Sequence, residues 1–116
     1  MVFNVLGCNH DDHTKNISFI YEDDKWQLAP AYDVIFAFDP GNYWLKNHNI
    51  NINGKNNDIT TGDILAVGEK FGIKKKESIL ADIGEVISNF RHYADKYNYP
   101  KTKATAIDQI LNSKSL

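Results

Sequence analysis

An α+β fold, mainly helical with one short β-hairpin, is predicted by three features of this sequence. Apolar residues recur at three- and four-residue steps along most of the chain after Thr60, the spacing of amphipathic helices. Two short runs, residues 17–21 (ISFIY) and 26–29 (WQLA), flank the polar tetrapeptide Glu22-Asp23-Asp24-Lys25, as the strands of a hairpin flank its turn. The length of 116 residues suits a single domain, 1–116, with one core.

The elements follow in order. Val2, Phe3, Val5 and Leu6 run into Gly7, a natural helix stop, with no capping residue ahead of them. Residues 8–16, CNHDDHTKN, read as a polar loop, and the hairpin comes next. Pro30 cannot donate to a strand ladder, so the second strand ends near it and delivers Ala31, Tyr32 and Asp33 at the hairpin's exit. Residues 38–58 are loop-like and rich in asparagine. Within them Asn49-Ile50-Asn51-Ile52 alternates and Asn53-Gly54 signals a turn, so one short strand or two is expected.

Thr60 or Thr61 can cap a helix through Ile64, Leu65, Val67 and Phe71 that closes at Gly72. Ile79, Leu80, Ile83, Val86, Ile87 and Phe90 then mark one amphipathic helix running to about Tyr97. Pro100 precedes a last short helix with Ala104, Ile107, Ile110 and Leu111 on one face. The expected role of these apolar stripes is core packing.

Composition excludes some function classes. A formal net charge of -2 and a pI near 6.0 argue against a surface built for phosphate backbones, so no direct nucleic-acid partner is expected. Lys74-Lys75-Lys76 reads as a solvated helix start, and Trp26, Tyr43 and Trp44 lack the interleaved basic residues of a base-stacking surface. One cysteine excludes an intrachain disulfide and fits a reducing compartment. No apolar run approaches the ~20 residues that span a bilayer, and the N-terminus has no leader pattern. A cytoplasmic protein away from membranes is expected.

The chemistry concentrates in CNHDDHTKN. Cys8, His10 and His13 lie in one loop without a second ligand cluster, and His48 and His92 lack zinc-site spacing, so closed zinc coordination is not expected. Two adjacent aspartates oppose a Cys8 thiolate. A third reading rests on position: Asp11 and Asn16 have the D-x-x-x-x-N spacing of a protein-kinase catalytic loop, in which the aspartate accepts the substrate hydroxyl proton and the asparagine holds magnesium. In that architecture a short hairpin leads to a second magnesium-binding aspartate, and Asp33 follows the predicted hairpin, 17 residues after Asn16. Magnesium prefers oxygen ligands, which an amide and a carboxylate supply. Asp12 reads as a solvated neighbour.

GCNHDDHTKN followed by WQLAPAYDV resembles the C-terminal part of HipA-like serine/threonine kinases, the toxins of HipBA-type toxin–antitoxin systems. The family's loop reads approximately G-N-T-D-x-H-x-K-N and its later segment L-x-P-x-Y-D, and both occur here in order. The resemblance extends through NININGKNNDIT and the helices beyond it, and implies a kinase-like C-terminal lobe. It implies Asp11 as catalytic base, Asn16 and Asp33 as magnesium ligands, and His13, Thr14 and Lys15 against the phosphates of ATP, with Tyr32 shaping that site. Two departures are His10, where the family usually has a small hydroxyl residue, and Cys8, at a usually aliphatic or glycine position.

No G-x-G-x-x-G or G-x-x-x-x-G-K-[ST] phosphate-covering loop occurs among the seven glycines. The chain is therefore expected to be the C-terminal portion of a two-lobe kinase, inactive until an N-terminal lobe or parent chain completes the ATP site. An antitoxin and a protein substrate are further expected partners. Two other classes remain open: a non-catalytic module binding an antitoxin, another protein or a second copy of itself, and a metal-dependent hydrolase using His10, Asp11 and His13.

Overall fold

In the computed structural model, which describes residues 1–114, the first apolar run forms helix α1 (Val2–Leu6). The Asn9 N–H donates to the Asn4 carbonyl at 2.8 Å and the Cys8 N–H to the Val5 carbonyl at 3.3 Å, the paired bonds of a Schellman ending. The left-handed residue of that ending is Cys8, φ 51°, and not Gly7, φ -84°. Gly7 answers a different need: a Cβ there would lie 2.9 Å from the Phe3 carbonyl oxygen and 3.4 Å from Ile87 Cδ1.

The hairpin forms between β1 (Phe19–Glu22) and β2 (Lys25–Leu28). Glu22 pairs with Lys25, so the turn is two residues long and not the expected four. Asp23 and Asp24 take φ of 50° and 57°, the type I′ geometry whose twist matches the strands. By register Phe19 pairs with Leu28 and Tyr21 with Trp26, which puts all four on one face. All eight strand residues are exposed.

The alternation at 49–52 does not produce a strand. Only a single antiparallel bridge, Ile52 with Lys55, closes around Asn53-Gly54, whose φ values of 52° and 82° again make the predicted turn. The Asn49 side chain donates instead to the carbonyls of His10 and Trp44, and the segment anchors through Ile52.

Helix α2 (Thr61–Lys70) starts at Thr60 with a capping box. Asp63 closes that box and also accepts from Lys55 Nζ at 2.8 Å and Asn53 Nδ2 at 2.9 Å, tying the turn to the helix. These donors hold its carboxyl well below the usual range. The helix ends through Gly72 at φ 65°, with the Ile73 N–H on the Gly68 carbonyl at 2.8 Å.

The single helix expected to reach Tyr97 is two, α3 (Lys76–Ser88) and α4 (Phe90–Lys96). The break is chemical. Ser88 Oγ and Asn89 Nδ2 both donate to the Glu85 carbonyl, at 2.8 and 2.9 Å, competing with the helical ladder. The last helix, α5 (Lys101–Ser113), runs 13 residues and is not short.

Val5, Ile52, Ile59 and Ile64 form the core, with Val2, Leu6, Ile50, Val67 and Leu80 packed on it. Helix α3 touches α1, α2, α4 and α5. Even so, no α3 residue is fully buried, and Ile79, Val86 and the α2-flanking Phe71 are exposed, contrary to the core role expected of them. The fold class is the predicted one, α+β with a hairpin after the loop. No helix among the described residues is long and apolar enough to cross a membrane.

Candidate functional site

The loop at residues 8–16 owes its course to pairing on both sides. Its N-terminal half runs parallel to a returning segment: the His10 N–H donates to the Ala37 carbonyl at 2.9 Å, and the Ala37 N–H to the Cys8 carbonyl at 3.0 Å. Its C-terminal half closes in a single 3-10 turn, Thr14–Asn16, with the Asn16 N–H on the His13 carbonyl at 3.0 Å. Between these anchors, successive side chains point to opposite sides.

Asp11, His13, Asn16, Tyr32 and Asp33 line one open cavity of about 460 Å³. The Asp11 carboxylate is 41 % exposed, with His13 Nε2 3.5 Å from its Oδ1. Asn16 Nδ2 donates to the Asp11 carbonyl at 2.9 Å, which occupies the amide nitrogen and leaves the amide oxygen as the donor atom for a hard cation. Asp33 has φ 50°, and its carbonyl accepts from Asn9 Nδ2 at 3.0 Å. Tyr32 donates its hydroxyl to the Lys15 carbonyl at 2.8 Å, clasping the 3-10 turn to the hairpin exit. Thr14 and Lys15 lie exposed on that turn and do not line the cavity.

Sequence reasoning missed two residues. Asn9 is 2 % exposed and joins α1, through Asn4, to Asp33. Asp12, expected to be solvated, has a side chain with no exposed surface; it accepts from His48 Nδ1 and from the Asn49 N–H, both at 2.8 Å. The only sequence signal was an asparagine-rich loop whose amides and ring nitrogens needed partners.

His10 is separated from Asp11 and His13. It lies beneath the loop, stacked on His48 at 4.1 Å between ring centroids and edge-on to Phe38 at 5.0 Å, in the wall of another cavity of about 480 Å³. Burial first, then the neighbouring His48 and Lys114, pushes its pKa down to about 4. The trio His10, Asp11 and His13 is therefore not assembled. Among the described residues no three His, Cys, Asp or Glu side chains converge as a metal site. Burial also pushes the Cys8 thiol up, with Lys114 opposing, so the nucleophilic thiolate is disfavoured.

The open cavity is thus lined by Asp11, Asn16 and Asp33, contributed by a loop and a hairpin exit. Searches of curated proteins and of solved structures gave no match. The family model described as the HipA-like C-terminal domain matches residues 1–97, which include the loop, the hairpin and helices α1 to α4. Since that match covers most of the chain and every residue lining the cavity, the protein belongs to the HipA-like C-terminal domain family.

Proposed function

We propose that this chain is the C-terminal catalytic lobe of a HipA-like serine/threonine kinase, acting once an N-terminal lobe completes the nucleotide site. The observation that carries the reading is the meeting of Asp11, Asn16 and Asp33 in one solvent-open cavity although the last two stand 17 positions apart, on either side of a hairpin. Asp11 is the base: its carboxylate takes the proton of a serine or threonine hydroxyl as that oxygen bonds to the γ-phosphorus and the bond to ADP breaks. Asn16 and Asp33 suit magnesium because both offer oxygen, and the ion's role when bound is to neutralise phosphate charge.

Around this centre the other residues have positioning work. Tyr32 fixes the 3-10 turn through the Lys15 carbonyl, and Asn9 fixes the backbone of Asp33. His13 stands beside Asp11 and would contact the phosphates of bound ATP, as would Thr14 and Lys15 on the adjoining turn. Replacing Asp11 by Asn in the two-lobe enzyme should lower phosphoryl transfer about 100-fold or more while leaving the circular dichroism spectrum unchanged. Undiminished transfer would remove Asp11 from the role of base. The chain alone should show no transfer from magnesium–ATP.

A second reading is supported by the hairpin. Phe19, Tyr21, Trp26 and Leu28 share a face and are 62, 58, 72 and 67 % exposed, an unpartnered apolar strip beside the cavity. A module that binds an antitoxin, another protein or its own copy would use such a strip. Catalysis and association are separable, because the strip and the Asp11 carboxylate are different groups.

A further inference from the structure

We infer that Asp12 and His48 form a latch that positions the catalytic loop, with Asp12 acting on Asp11 through the backbone they share. The inference rests on Asp11 being the base, and it assigns to its neighbour a role that sequence alone gave to solvent. The Asp12 carboxylate is fully enclosed, and both its oxygens are engaged: Oδ2 by His48 Nδ1 and Oδ1 by the Asn49 N–H, each at 2.8 Å. A third bond runs in parallel, from Asn49 Nδ2 to the His10 carbonyl at 2.6 Å. Loop residues on either side of Asp11 are thus fixed to residues 48 and 49.

That receiving segment is itself anchored. The His48 N–H donates to the Asn56 carbonyl at 2.8 Å, and Ile52, four residues on, is 2 % exposed in the core. His48 also stacks on His10, so the ring is held on its face as well as at its nitrogen. Among the described residues, the half-exposed Asp11 carboxylate has no comparably enclosed contact of its own, and its ion-pair neighbour is His13 at 3.5 Å. Its aim at a substrate hydroxyl is therefore set through the backbone, and the backbone is set by the latch. A loop misplaced by a fraction of an ångström lowers the rate of the chemical step.

The test compares Asp12→Ala, His48→Ala and Asp12→Asn. The last can keep both hydrogen bonds, because His48 can shift to its other tautomer and accept from the new amide. In the chain itself, amide hydrogen exchange at His10 and Asn16 should accelerate in both alanine variants by about tenfold more than in α4 and α5, and return toward wild type in Asp12→Asn. In the two-lobe enzyme, the alanine variants should lose about tenfold in kcat, again with rescue by Asp12→Asn.

Exchange that accelerates evenly along the chain, or an intact kcat beside a loosened loop, would show that Asp12 serves the fold alone and would overturn the latch. Should Asp12→Ala fail to fold, His48→Ala, which retains the Asn49 bond, decides by the same two readouts. The two readings fail differently. A loosened loop in an enzyme indifferent to Asp11→Asn sinks the base assignment, whereas a base-dependent enzyme indifferent to His48→Ala sinks the latch.

Discussion

Asp11 and Asp12 are chemically identical neighbours that the fold sends to opposite environments, one half-exposed in a cavity and the other without exposed surface. The first was legible because its partners stand at recognisable intervals, D-x-x-x-x-N and a hairpin exit. The second was not, because its partner His48 lies 36 residues away in a loop without periodicity. Asn9 was hidden for the same reason, its contact being a carbonyl 24 residues on. His10, beneath the same loop, gives the fold a pH dependence with a definite sign. Its folded pKa is lowered to about 4 from 6.5, so the unfolded chain takes up a proton at a higher pH than the folded chain does. Stability should be complete above pH 6.5 and fall by roughly 3 kcal/mol as the pH drops to about 4. Urea midpoints across that window check this, and His10→Gln should flatten the slope. The Asp63 carboxyl, also depressed, acts in a lower window, its stabilisation present above the usual carboxylate pKa and lost on further acidification.

At the level of elements, local chemistry was read well wherever one residue decides the geometry. Thr60, Gly72 and Asn53-Gly54 each cap or turn as their type predicts. Lengths were read less well. Apolar periodicity continues through Ile87 and Phe90, but it carries no trace of Ser88 and Asn89 turning back onto the Glu85 carbonyl and dividing α3 from α4. The hairpin turn shows why: a run of four charged residues looks like a loop, although its outer pair belongs to the strands. Two aspartates at positive φ are a costly way to make a type I′ turn, since left-handed backbone disfavours any Cβ. Replacing Asp23-Asp24 by Asn-Gly should stabilise the hairpin by about 1 kcal/mol. Cross-strand nuclear Overhauser intensity between Tyr21 and Trp26 would grow if so, and no change would mean the turn carries no strain.

The whole molecule exposes more than its size requires. Its accessible surface is 8270 Å², where a monomer of 13.2 kDa ordinarily shows about 6400 Å². Its radius of gyration is 15.3 Å against about 13 Å for a compact chain of this length. Ile79 and Val86 on α3, expected in the core, lie open, and so does the strip on the hairpin. Periodicity reports that a face is apolar; it does not report whether this chain or a neighbour covers it. Trp26→Lys should therefore reduce concentration-dependent association in static light scattering and weaken binding of an apolar dye, with the loop and its cavity intact. A strictly monomeric wild type that binds no dye would count against association through the strip. The chain's single thiol, on Cys8, is 1 % exposed at the root of the loop at residues 8–16. An alkylating reagent reaches it only in moments when that root comes apart, so the labelling rate in native buffer is a ready-made clock for loop opening, with no probe to introduce.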